Sequence, residues 1–163
     1  MSEIIYFSYN EVLMVYGKTI DKSGGGFSGI RDQGGILSVI DFVQNDIYYP
    51  NLVSKLSYLV FRFCSGHFFN DGNKRIALTL GVYFLMKNGH YWAAAQFMKR
   101  LEAIIYHIAA SHIDDKLLYR IMHNIVECTD FDEELKIDIA NAMNKGCIGV
   151  DEDINIETRA DND

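Results

Sequence analysis

The chain has 163 residues, 49% of them hydrophobic, with a formal net charge of −7. That length supports one sizeable core and is too short to favour two domains, and a single proline among long apolar-periodic stretches argues for helices over a many-turned β-sandwich. Residues 151–163 hold six acids and one arginine, −5 of the −7, leaving −2 on the other 150 residues; this excludes a broad basic face for nucleic acid and makes any phosphate site local.

Taken in chain order, a short apolar piece at 4–7 leads to Ser8, a candidate cap for a helix carrying Val12, Leu13, Val15 and Tyr16 and fading between Gly17 and Ser23. The next stretch, KSGGGFSGIRDQGG, reads as a loop or small hairpin, because each glycine costs a helix about 1 kcal/mol relative to alanine. Ile36, Leu37, Val39, Ile40 and Val43 then describe a helical face. Asn51 opens a long helix with a buried stripe from Leu52 to Phe63, stopping near Ser65 and Gly66.

After a break at 67–72 a helix starts near Asn73 and ends at Asn88 and Gly89, with Gly81 permitting close packing inside it. One further helix is expected to hold Phe97, Leu101, Ile104, Ile105 and Ile108, and another starts at Asp114. A weaker helix is expected over 132–144. The domain so defined covers 1–145, with 146–163 as an acidic tail too polar to order itself alone.

Cys64, Cys128 and Cys147 show no CxxC spacing, so neither a disulfide framework nor a zinc site is indicated, and Cys64 and Cys128 read as core thiols. His90, His107, His112 and His123 lack ligand spacing and read as structural or surface residues. The N-terminus has no basic region and no apolar run reaches bilayer length, which points to a cytoplasmic, reduced protein without a membrane partner.

The chemistry concentrates in HFFNDGNKR, the junction between two helices. An imidazole at His67 suits a general base. Gly72, Asn73 and Lys74 lie where the next helix starts, so their unpaired N–H groups and the positive end of the helix dipole favour an anion. Lys74 and Arg75 add full charges, suiting a polyphosphate, and Asp71 suits a magnesium ion bridging phosphate oxygens. A plain helix–helix turn would need neither His67 nor the cation pair.

His67, Phe69, Asp71, Gly72, Asn73, Lys74 and Arg75 resemble the signature of the Fic/Doc family, HxFxDGN followed by a basic pair, and the segment from Gly29 resembles its Doc branch. The resemblance spans roughly 5–128. It implies a mainly α fold, a Fic-type helical bundle with a small β-hairpin or loop flap over the active site. It also implies that His67 deprotonates a target hydroxyl, Phe69 anchors the loop, Asp71 positions Mg2+, and Gly72, Asn73, Lys74 and Arg75 bind the phosphates of ATP. Gly26, Phe27, Ser28, Gly29, Ile30 and Arg31 would form a flap that docks the target by backbone pairing.

Two positions bear on the reaction. The AMP-transferring branch has glycine after the motif asparagine and a second arginine further on, whereas this chain has Lys74 and Leu78. The resemblance therefore favours a Doc-like toxin that moves a phosphoryl group from ATP to a hydroxyl of elongation factor Tu and stops translation. AMP transfer to a protein hydroxyl and a non-catalytic binding module are the alternatives. The inhibitory pattern (S/T)xxxE(G/N) is met only in part by Thr129–Glu133, with Glu134 in its last place, so a separately encoded antitoxin is the expected restraint.

Overall fold

The computed structural model describes residues 3–24, 26 and 28–157, the stretch 146–157 as helical backbone. It is mainly helical, with eight helices among the described residues. α1 (Tyr9–Lys22) starts at a capping box in which Ser8 and Glu11 exchange side-chain and backbone bonds. α2 (Gln33–Phe42) is capped by Asp32, and α3 (Leu52–Ser65) by Asn51 with Ser54.

α4 (Asn73–Lys87) is the central element, because its apolar residues surround the axis instead of forming one stripe. Ile76, Ala77, Leu80, Phe84 and Leu85 are buried between α3, α1 and α5 (Tyr91–Leu101). At Gly81 an added Cβ would stand 2.5 Å from the Phe97 ring and 3.3 Å from Val60, so the missing side chain sets how closely α3 and α5 approach α4. α7 (Asp115–Val126) packs on α3 and α5, and α8 (Glu133–Glu157) packs on α7 and on α6 (Ile105–Ala109).

Lys55 is fully buried where α2 leads into α3. Its ammonium donates to the Val43 carbonyl at 2.9 Å and to Asp46 at 2.7 Å. Burial pulls its pKa down, but the Asp46 bond and Tyr6 outweigh this and leave it above its ordinary value.

Three expectations change. The single helix expected through Phe97 and Ile108 is two, since the chain turns at 102–104 between α5 and α6, and Ile104 and Ile105 stay buried across the turn. Cys128 is exposed at a left-handed residue after α7, with φ 55°, and is no core thiol. The backbone of α8 continues to Glu157, past the 144 expected for that helix, and 158–163 lie outside the described residues. No helix among the described residues is long and apolar enough to cross a membrane.

Candidate active site

α3 stops where Gly66 donates its N–H to the Arg62 carbonyl at 2.8 Å, and the chain then reverses through His67 at φ 51°. Histidine is among the residues that tolerate this left-handed region, and the turn leaves the His67 side chain exposed. Phe68 and Phe69 follow, both buried. The Phe69 ring stacks on Tyr16 of α1, centroids 4.1 Å apart and planes 19° from parallel.

Asn73 fixes the same point of the loop by a second route. Its side-chain amide donates to the Phe69 carbonyl at 2.9 Å and its side-chain oxygen accepts from the Phe69 N–H at 3.1 Å. These two bonds tie that side chain to the loop backbone, while the Asn73 backbone N–H has no acceptor among the described residues.

Gly72, at φ 82°, is the N-cap of α4 and offers no side-chain acceptor. Among the described residues the N–H groups of Asn73, Lys74 and Arg75 have no acceptor, while the Gly72 N–H donates to Asp71 Oδ1 at 2.7 Å. Three amides at the positive end of a central helix are thus presented together. Of the four residues expected to bind phosphate, Gly72 has its amide engaged within the loop and contributes its conformation.

Asp71 Oδ2 also pairs with Arg75 at 2.9 Å, both side chains being partly exposed, and Arg75 reaches Ser23 at the end of α1. Lys74 is exposed and stands over the Tyr106 ring of α6 at 5.8 Å. Behind it, burial pushes the Cys64 thiol up to about 11 against the pull of Lys74, which leaves it unreactive.

The flap forms no hairpin among the described residues; it is a loop with one antiparallel bridge, Ile30 to Phe69. Asn70 donates to the Gly29 carbonyl at 3.0 Å, and Arg31 and Asp32 donate to the Phe68 carbonyl at 2.8 and 3.1 Å. A Cβ at Gly26 would meet Asp71 Oδ2 at 2.5 Å, so Gly26 lies directly against the 67–72 loop. Phe27 lies outside the described residues.

Sequence reasoning missed Tyr16. Its hydroxyl accepts from the Gly29 N–H at 3.3 Å and donates to the Asp71 carbonyl at 3.3 Å, tying flap to loop from beneath. The only trace in the sequence was a tyrosine, a side chain with a polar tip, on an otherwise apolar helix face.

Two comparisons bear on this arrangement. The model of the Fic/DOC family matches residues 6–85, a span that runs from before α1 through the flap and the loop to α4. The chain is also 33% identical over 88 residues to Protein kinase doc of Escherichia phage P1, covering 52% of this chain and 68% of that relative. With its signature residues set at the start of α4 as described, the chain belongs to the Fic/DOC family, on its Doc side.

Proposed function

We propose that the protein is a toxin that transfers the γ-phosphoryl group of ATP to a hydroxyl of a protein target, elongation factor Tu, and so arrests translation. The observation that carries this reading is the left-handed Gly72 opening α4 beneath three unengaged amides, with an exposed imidazole five residues earlier. The relative from phage P1 bears the name of a protein kinase, which agrees with the reading.

In this mechanism the amides of Asn73, Lys74 and Arg75 and the two cationic side chains hold the phosphates. The target oxygen attacks the γ-phosphorus, His67 takes the hydroxyl proton, and the bond to the bridging oxygen breaks to release ADP. Asp71 is a suitable single carboxylate for Mg2+, which usually takes one or two carboxylates beside phosphate and water oxygens, and the partial exposure of its side chain leaves lone pairs accessible. Among the described residues no group of three or more His, Cys, Asp or Glu could form a metal cage, which fits an ion arriving with its nucleotide. Bound there, Mg2+ would neutralise phosphate charge.

The second reading, AMP transfer, has less support, because Leu78 is buried and places no cation where that branch carries its second arginine. Leu78 instead lines a groove of about 600 Å3 between α1, α4 and α5, with Met14, Met86 and Met98 and with three cations, Lys18, Lys22 and Arg75, against one acid, Glu102. An amphipathic, acidic helix of a separately made antitoxin suits that groove in shape and charge, and it would engage Arg75.

The test incubates the protein and its target with ATP labelled at the γ or the α phosphorus. Transfer of γ label alone is expected; α label on the target would establish the AMP reading instead, and no label on any protein would leave only the binding module.

A further inference from the structure

A second pocket lies between the turn before α3, α3 itself and the start of α7, and the proposed transfer reaction makes no use of it. Its walls are aromatic: Tyr49 stacks on Tyr58 at 4.4 Å, and Phe61 and Tyr119 stand around them. Its volume is about 290 Å3, at the lower bound of ligand pockets, which run from about 300 to 1,000 Å3, so it suits a molecule smaller than a nucleotide.

Two opposite charges line the same space, Arg62 on α3 and Asp115 on α7. Neither has an ion-pair partner among the described residues, and they do not pair with each other. Both act on one wall of the pocket. The Tyr49 hydroxyl titrates above its ordinary value, first through burial and then through Tyr58 and Asp115, against an opposing pull from Arg62.

These charges narrow the ligand. A simple cation over the rings would be opposed by Arg62, and a simple anion would be opposed by Asp115. A molecule with an apolar or aromatic body, a carboxylate for Arg62 and an ammonium for Asp115 satisfies all three surfaces. A peptide terminus carries only one of the two charges next to its side chain. We propose that this pocket binds a free α-amino acid with an aromatic side chain, its carboxylate on Arg62, its ammonium on Asp115 and its ring among Tyr49, Tyr58 and Phe61.

The Arg62 carbonyl accepts from the Gly66 N–H at 2.8 Å, so the pocket lies one helical turn before His67 in the chain.

The experiment is calorimetric titration of the intact protein with L-phenylalanine, with 3-phenylpropionate and phenethylamine as single-charge analogues and L-alanine as the zwitterion lacking a body. L-phenylalanine is expected to bind, and each of the other three to bind about tenfold or more weaker, the loss of roughly one charge-assisted or apolar contact. Arg62→Gln and Asp115→Asn, both at exposed positions, should each weaken L-phenylalanine by a similar factor with the melting temperature of the free protein unchanged. No heat with L-phenylalanine at about 10 mM, a concentration that detects even millimolar affinity, overturns the proposal, as does equal binding of phenylpropionate or undiminished binding by both variants.

Discussion

Tyr16 and Phe69 lie face to face, 4.1 Å between ring centroids, and through this contact the first helix supports the 67–72 loop from below. The Tyr16 hydroxyl extends the contact to Gly29 and Asp71, so one side chain bridges the 26–31 segment and the 67–72 loop. Tyr16→Phe keeps the stack and removes the bridge. The expected result is a loss of about 1 kcal/mol in stability and a fall of several-fold in kcat/KM for the protein target, read by denaturant melts and steady-state transfer. Tyr16→Ala should cost about 3 to 5 kcal/mol, since the buried ring is removed along with its stack on Phe69. Unchanged turnover in Tyr16→Phe would show that the bridge has no part in positioning.

His67 is exposed and makes no side-chain bond among the described residues, so its removal should leave the fold intact. His67→Ala is expected to lower transfer by about 10² to 10⁴-fold with a melting temperature equal to that of the parent. Transfer at the parental rate would take the imidazole out of the mechanism.

Asp71 and Arg75 form a partly exposed pair whose rupture costs little stability, because solvent screens it. Arg75→Ala should therefore melt within about 1 kcal/mol of the parent while binding ATP more weakly by roughly tenfold or more. Asp71→Asn should chiefly raise the Mg2+ concentration needed for half-maximal transfer. Equal ATP affinity in Arg75→Ala, measured by equilibrium titration, would move the phosphates away from this side chain.

Glu11 joins α1 to α4 by bonds to Lys87 and Tyr83, each 2.6 Å. The Lys87 bond first, then the Ser8 backbone and Tyr83, lower its pKa to about 2. A carboxylate depressed on folding adds stability at pH values above its unfolded pKa and loses it as pH falls through the folded one. Its contribution, on the order of 1 kcal/mol after solvent screening, should thus be complete above about pH 4.5 and vanish towards pH 2. Glu11→Gln is expected to flatten that part of the stability–pH curve, and an unaltered acid limb would show that the latch adds nothing.

The parts of the fold legible in the sequence were those marked by local chemistry. Ser8, Asn51 and Asp114 each cap the helix they were expected to open, because a short polar side chain satisfies amides only at a helix start. Gly72 and Asn73 marked the start of α4 for the opposite reason, a backbone turn that glycine adopts readily. The break between α5 and α6 was hidden, since neither glycine nor proline occurs at 102–104 and the apolar spacing continues across it.

Within the site, the identities of the loop residues were readable and their division of labour was not. Asn73 spends its side chain on Phe69, Gly72 gives its amide to Asp71, and Lys74 leans over Tyr106; each depends on contacts that spacing does not encode. Tyr16 and Ser23 reach the loop from α1, about fifty residues away in sequence, and no local pattern announces such a partner.

The central claim is that the first turn of α4 grips the nucleotide's phosphates, and amide chemical shifts measured during titration with ATP and Mg2+ test it most directly. The largest shifts are expected at Asn73, Lys74 and Arg75, with the Gly72 and Asp71 amides following. Perturbations centred on any other element, with those three amides unmoved at saturation, would contradict it.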